Sequence, residues 1–144
     1  MLSLDRAANR PMTEALRAGR IDRRYRVVVV GSPGEEGVWD NDLEGQTART
    51  RWRCLSRQQG MSVLECHLET GRTHQIRRHA QLAGCPVIGD RRYGGAAGRL
   101  WKRLALHAYR LGFVHPVTAE VMDFVSSCPS DLAPLLERAG LASD

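Results

Sequence analysis

Side chains that can hold anions or move protons are concentrated in residues 68–79, which read LETGRTHQIRRH. Three of them are arginines, among them Arg72 and Arg77, and a guanidinium can hold a carboxylate or a phosphate through two parallel hydrogen bonds. His74 and His79 are five residues apart, whereas metal ligands on one helical face are three or four apart. We therefore interpret both histidines as structural, and the arginines as anion-binding groups or as solvated helix charges.

The remaining candidate metal ligands are scattered along the chain. None of the cysteines forms the C-x-x-C spacing of metal sites and redox motifs, and a free cysteine packs as a small hydrophobic residue. His107 and His115 fall in predicted strands and receive the same structural interpretation as the other histidines. The sequence therefore predicts no metal site and four reduced thiols: Cys54, Cys66, Cys85 and Cys128.

Positive charge is concentrated in one part of the chain. Residues 46–110 contain thirteen Arg or Lys and only three acidic residues, a net charge of +10, within a chain whose total is +5. Such a concentration is typical of proteins that bind polyanions, because phosphate neutralisation releases counterions. A solubilising surface in a protein that uses arginine almost exclusively, with twenty Arg and one Lys, explains the composition equally well.

The elements that must position these charges follow from periodicity and turn residues. We predict helices at residues 7–18, 73–83 and 132–139, with Thr70 or Thr73 near the N-cap of the second. Strands are predicted at residues 25–30, 48–55, 62–70, 86–88, 104–115 and 117–125, a hairpin loop at 58–60, and a loop from Gly31 through Gly45. Strands outnumber helices, so we expect one α+β domain around a mixed, mostly antiparallel sheet with flanking helices.

Two predicted strands give a second explanation for part of the basic charge. Arg49 and Arg51 alternate with Thr50 and Trp52, so the arginines share one face of their strand. The next strand places glutamates on alternate positions, and opposite charges on neighbouring strands pair across a sheet. No apolar run is long enough to span a membrane and the N-terminus lacks a secretory h-region, so we expect a cytoplasmic protein.

Five motifs in order carry a resemblance to a known family. Residues 68–79 resemble the L-x-T-G-R-x-H-Q-I-R-x-H signature of RluA-like RNA pseudouridine synthases, in the RsuA/RluA superfamily. Residues 84–94 are similar to its G-x-P-I-x-G-D-x-x-Y-G, and residues 103–116 to R-L-x-L-H-A-x-x-L-x-F-x-H-P. Upstream, residues 24–31 resemble the K-x-Y-x-A-x-V-x-G strand and residues 48–50 its A-x-T. The resemblance covers roughly residues 10–125.

The resemblance implies isomerisation of uridine to pseudouridine in rRNA or tRNA, without a cofactor, metal or membrane. The target base leaves its stack to enter a pocket. Tyr25 matches the tyrosine that stacks on this base, and Arg77 matches the arginine that pairs with the catalytic aspartate. We expect RNA binding by the basic side chains around them, Arg72, Arg78, Arg49 and Arg51. The sequence favours no oligomeric state.

The family's aspartate motif, H-R-L-D-x-x-T-S-G, has no clear counterpart in the chain. Asp5 follows Leu4 as in that motif, but no His-Arg precedes it and no Thr-Ser-Gly turn follows it. Only twenty positions separate Asp5 from Tyr25, too few for the strand and helix that the family places between them. We therefore expect Asp5 not to be catalytic, the domain to be partial at its N-terminus without an S4 module, and the chain alone to be inactive.

Three interpretations remain open at the sequence level. The chain is part of an enzyme whose aspartate lies upstream, or a synthase remnant that binds RNA without modifying it. The third is a basic domain that binds an acidic protein. Genomic DNA upstream of Met1 separates the first two, because an in-frame aspartate motif there supports the enzyme and an in-frame stop supports the remnant.

Overall fold

A computed structural model describes Glu14 and residues 21–142 of the chain. The helix predicted at residues 7–18, apart from Glu14, and Asp5 lie outside the described residues. The described helices are α1 (Gln75–Leu82), α2 (Ala133–Arg138) and a 3-10 helix (Gly95–Arg99). The strands are β1 (Asp22–Val30), β2 (Glu36–Trp39), β3 (Thr50–Gln58), β4 (Met61–Leu68), β5 (Leu106–Val114) and β6 (Val121–Val125).

The six strands form one sheet in the order β2-β3-β4-β1-β5-β6. Every neighbouring pair is antiparallel, so the predicted α+β class is confirmed, while the sheet of the described residues has no parallel pair. No helix among the described residues is long and apolar enough to cross a membrane.

Strand β1 occupies a central place in the sheet because its sequence tolerates burial on both faces. Val27, Val28 and Val29 are all buried, and their β-branched side chains suit a pleated surface packed from both sides. The strand pairs with β4 along one edge and with β5 along the other. Residues 25–30 were predicted as a buried strand on this composition, and the prediction is confirmed.

The hairpin between β3 and β4 was also predicted correctly. Gln58 pairs with Met61, which leaves a two-residue loop of Gln59 and Gly60. Both loop residues have positive φ, 55° and 74°, as a type I′ turn requires. The turn sets the pairing of the hairpin end, and a bulge between Cys54 and Ser56 then shifts the register by one residue and places Arg53 opposite Glu65.

Strand β2 was missed because its residues resemble a loop. Glu36–Trp39 lies in an acidic, glycine-rich stretch, yet it pairs with β3 along its length. Gly37 is required there, since a Cβ at this position would lie 2.6 Å from the ring of Trp52. A residue that signals a turn in the sequence therefore makes room for a buried indole in the structure.

Three further expectations need correction. Residues 86–88 form an isolated bridge between Val87 and Val29 rather than a strand. The N-cap of α1 is His74, in the left-handed region with φ 51°, and neither threonine caps the helix. Ala83, the last residue of the predicted helix, lies beyond the last turn of α1 and is exposed.

We predict that Gly89→Ala destabilises the protein far more than Gly45→Ala. Both glycines have φ near +75°, at 77° and 73°. A Cβ at Gly89 would lie 1.8 Å from the backbone oxygen of Arg103, whereas nothing lies within 4 Å of one at Gly45. Urea denaturation should give a loss of about 1–2 kcal/mol for Gly45→Ala from backbone strain alone, and more than about 3 kcal/mol for Gly89→Ala. Equal losses would contradict the close approach.

Candidate active site

Arg77 lies on α1 at the edge of the buried face and forms a bidentate ion pair with Asp90. Its Nε donates to Asp90 Oδ2 and its Nη2 to Asp90 Oδ1, each at 2.9 Å. The side chain of Asp90 is 0% exposed and that of Arg77 is 17% exposed. The pair joins the helix of the first motif to the Gly-Asp turn of the second, and neither charge is isolated from its partner.

Asp90 accepts two more hydrogen bonds, which hold it as an anion. The backbone N–H groups of Arg92 and Tyr93 donate to Oδ1 at 3.1 and 2.9 Å. Burial opposes the charge of Asp90, but the hydrogen bonds from Arg77 and from the backbone outweigh it and lower the pKa of the carboxyl group. A carboxylate so enclosed is a structural anchor and cannot reach a substrate.

The resemblance implies a catalytic aspartate as the partner of Arg77, and the structure adds Asp90 as a second partner that the sequence analysis did not anticipate. Among the described residues, the ion pair leaves Nη1 of Arg77 without a protein acceptor. This nitrogen is the part of the guanidinium available to a second anion. Periodicity could not reveal the pair, because its two residues lie on different elements joined by a loop.

Tyr93 completes the cluster around Arg77. The guanidinium carbons of Arg77 and Arg92 lie 5.0 and 5.3 Å from the centre of its ring. Its hydroxyl group lies 3.0 Å from Nδ1 of His74. The sequence analysis gave Tyr93 no role, although its place in the G-D-x-x-Y-G motif was a signal that could have identified it.

Gln75 fastens the start of α1 to the sheet. Its Nε2 donates to the backbone oxygen of Arg49 and to Oγ1 of Thr50, both at 2.9 Å. Its Oε1 accepts hydrogen bonds from the hydroxyl of Thr70 and the backbone N–H of Arg72. The threonine predicted as a helix cap thus acts through Gln75, one residue into the helix.

Three further histidines contact other groups of the protein. His79 is fully buried, with Nδ1 2.9 Å from Thr50 Oγ1 and Nε2 2.8 Å from the backbone oxygen of Asn41. His107 contacts the backbone oxygen of Ser126. His115 accepts hydrogen bonds from two backbone N–H groups of its own turn. Within the described residues, no three His, Cys, Asp or Glu side chains are grouped as metal ligands.

The arginines expected to bind RNA all have protein partners. Arg49 and Arg51 pair with Glu69 across β3 and β4. Arg78 pairs with Glu44 at 3.3 Å, and Nε of Arg72 donates to the backbone oxygen of Thr47 at 2.8 Å. The cross-strand pairing considered for the basic charge is therefore confirmed for the first two residues.

Tyr25 lies half-buried in the middle of β1, opposite Cys66 on β4 and Ala108 on β5. Among the described residues, its ring forms no cation–π contact with Arg77, whose aromatic neighbour is Tyr93. The structure thus does not join the two residues that the resemblance selected. The two residues are connected through β1. Tyr25 lies on this strand, and the bridge from Val29 to Val87 holds the segment before Asp90, the partner of Arg77, against it.

Arg23 is a neighbour of Tyr25 that the sequence analysis overlooked. It lies two residues earlier on the same face of β1. Its Nε is buried without a hydrogen-bond partner among the described residues, and burial lowers the pKa of the guanidinium. Its Nη1 would lie 2.7 Å from a Cβ at Gly71, so the residue also needs the glycine of the first motif. The K-x-Y pattern could have identified it.

Comparisons with known proteins agree with the motifs. The family described as RNA pseudouridylate synthase matches residues 1–82, and the chain belongs to this family. It is 36% identical over 146 residues to an uncharacterized RNA pseudouridine synthase of Chloroflexus aurantiacus, covering 91% of this chain and 46% of the relative. It is 34% identical to the ribosomal large subunit pseudouridine synthase D of Zymomonas mobilis, covering 81% of this chain and 44% of the relative.

The fold agrees with solved structures of the same family. Human RNA pseudouridylate synthase domain containing 4 superimposes with a TM-score of 0.75 at 21% identity, over 94% of this chain and 68% of the human chain. Domain containing 1, also human, gives 0.74 at 20% identity, over 98% and 75%. The chain spans slightly less than half the length of the curated relatives named above.

We predict that Asp90→Asn costs about 3–5 kcal/mol at pH 7, because it leaves the Arg77 guanidinium facing an amide in place of a buried carboxylate. Folding lowers the pKa of Asp90, so the ion pair stabilises the protein fully at pH values above the unfolded-state pKa of about 4. This stabilisation is lost as the pH falls through the lower pKa of the folded state. The difference between wild type and variant in urea denaturation should therefore shrink in acid.

Asp123→Asn is the matched control for this experiment. Asp123 also forms a bidentate pair, with Arg110 at 3.0 and 3.1 Å, but both side chains are exposed to solvent. Asp123→Asn should lower the free energy of unfolding much less than Asp90→Asn does, since solvent screens exposed pairs. Equal losses of stability in the two variants would contradict the idea that burial makes the Asp90 pair more stabilising than an exposed one.

Proposed function

We propose that this protein isomerises uridine to pseudouridine in RNA. The bond between N1 of uracil and C1′ breaks, the base turns, and a bond forms between C5 and C1′, while C5 loses its proton and N1 gains one. The match of the RNA pseudouridylate synthase family to residues 1–82, which include Tyr25 and Arg77, carries the proposal. The substrate is rRNA or tRNA, the compartment is the cytoplasm, and no cofactor is required because the nucleotide supplies every atom.

Tyr25 is proposed to stack on the flipped uracil. Its half-buried position in a strand held on both edges supports this role, because a ring in a rigid strand can bind a base without first being ordered. Arg23, whose Nε has no hydrogen-bond partner among the described residues, lies near it and is proposed to hold a phosphate or a carboxylate close to the reacting nucleotide.

Arg77 is proposed to bind the catalytic aspartate through the nitrogen that Asp90 leaves available. Asp90 fixes the plane of the guanidinium, so Nη1 keeps one direction and loses little entropy when a second carboxylate arrives. Arg72, Arg78, Arg49 and Arg51 are proposed to contact RNA phosphates, although each must share its guanidinium with a protein acceptor.

The second candidate function is RNA binding without catalysis. The bidentate pairing of Arg77 with Asp90 favours it, because a carboxylate within the described residues already balances the charge of the guanidinium. The two candidates differ in one measurable event, the loss of the C5 proton from uridine.

Release of tritium from rRNA and tRNA labelled at C5 of uridine tests the proposal. The 144-residue chain and the longest in-frame product of its gene are assayed in parallel, since the sequence analysis expects the former to be inactive. We expect release by the longer product. Absence of release by both proteins, with RNA binding retained, would favour the second candidate.

Substitutions in the active form should separate the roles of its residues. We expect Arg77→Ala and Arg77→Lys each to lower tritium release by at least about 100-fold, because a lysine cannot bind two carboxylates with fixed geometry. Arg57→Ala is the control, since Arg57 is exposed and pairs with Glu35 on the hairpin side of the sheet. Full activity of Arg77→Lys would contradict the geometric role.

A further inference from the structure

A large basic cavity lies outside the cluster around Arg77. It has a volume of about 900 Å³. One side is formed by the 3-10 helix Gly95–Arg99 and the loop after it, and the other side by the start of α2. Arg91, Arg99 and Lys102 line it together with Trp101, and its far wall includes Asp131. None of these residues was singled out as a site by the sequence analysis.

Unlike the arginines of β3, which pair with glutamates, the cations of this cavity have no acceptor among the described residues. Arg91, Arg99 and Lys102 are exposed, and none forms an ion pair or side-chain hydrogen bond with the described residues. Asp131 does not offset them, because it pairs with Arg103 at 3.0 Å. The cavity therefore carries three uncompensated positive charges that a ligand can neutralise.

Trp101 gives this cavity an aromatic surface of fixed orientation. Its Nε1 donates to the backbone oxygen of Asp131 at 3.0 Å, and the guanidinium carbon of Arg138 lies 5.4 Å from its ring centre. The other two tryptophans, Trp39 and Trp52, are both only 8% exposed, whereas Trp101 is partly open to solvent. A held indole beside unpaired cations is the combination that binds bases and phosphates of single strands.

The segment that lines the cavity directly follows the Asp90 turn of the Arg77 cluster in the chain. Arg91 directly follows Asp90 in the chain, and Arg92 contacts the ring of Tyr93 in that cluster. An RNA strand could therefore leave the reacting nucleotide and reach the cavity along the same loop.

We propose that this cavity binds a single-stranded segment of RNA that flanks the reacting uridine, with one base on Trp101 and phosphates on Arg91, Arg99 and Lys102. The inference rests on the proposed function and adds a second contact region for its substrate. An acidic peptide would satisfy the cations but would gain nothing from the indole surface, so the tryptophan distinguishes the two ligands.

Binding of a single-stranded oligouridine to the 144-residue chain tests the site without requiring turnover. Affinity is measured by quenching of tryptophan fluorescence and by fluorescence anisotropy of labelled RNA, at several salt concentrations. We expect quenching at Trp101, which Trp101→Phe abolishes while it lowers the affinity measured by anisotropy by less than about threefold. Trp101→Leu should lower affinity by about tenfold, because it removes the stacking surface.

A charge-matched pair of triple variants tests the cations. Arg91→Gln with Arg99→Gln and Lys102→Gln should lower affinity at least tenfold and reduce the salt dependence by about two ions, at about 0.7 per phosphate of a single strand. The control removes the same charge from the paired residues Arg53, Arg57 and Arg110, and should change affinity less than threefold. Thermal unfolding confirms that each variant is folded.

Three outcomes would overturn the site. They are equal losses in the two triple variants, an unchanged affinity of Trp101→Leu, and competition by polyglutamate as effective as that by RNA of equal charge. None of them affects the proposed isomerisation, which the tritium assay decides separately. Failure of tritium release with loss of affinity in the cavity variants would leave the site in place on a non-catalytic RNA-binding protein.

Discussion

The ion pair between Arg77 and Asp90 is the interaction on which the arrangement of the site depends. A carboxylate with a fully buried side chain is tolerated only when every part of its charge has a partner, and Asp90 has the guanidinium and two backbone N–H groups. The backbone around it must then approach closely. A Cβ at Gly94 would lie 2.3 Å from the backbone oxygen of Asp90, and one at Gly98 would lie 2.8 Å from it. Gly94 of the second motif and Gly98 beyond it therefore allow the backbone to pack closely around Asp90.

This constraint changes the meaning of the motif arginine. The resemblance assigned Arg77 to a catalytic carboxylate, whereas the structure assigns two of its nitrogens to Asp90. Both assignments are compatible, because a guanidinium has donors on two edges. An arginine held by a buried anion is pre-organised for a second one, and pre-organisation is what gives fixed charges their value in an active site.

The sequence predicted most of the sheet but little of the pairing within the site. Strand β1 and the β3–β4 hairpin follow from local pattern, a run of β-branched residues and a Gln-Gly turn with positive φ. Strand β2 was missed because Gly37 serves the indole of Trp52, a contact between distant residues that no local pattern encodes. The pairing of Arg77 with Asp90 was missed for the same reason, because the two residues lie on different elements. The motif identified the residue, but only the folded turn at Asp90 determines which anion it holds.

Formal charge is a poor guide to where a polyanion binds, and the sheet explains why. Antiparallel register places Arg53 opposite Glu65, at a separation where side chains of opposite charge meet across the strands. Glutamates of the same protein thereby neutralise the arginines of β3. The loop of residues 91–102 has no facing strand, so its cations lack acceptors among the described residues and remain available. The net charge of residues 46–110 therefore overstates how much positive charge the strands offer to a polyanion, and it does not reveal that the unpaired cations lie in residues 91–102.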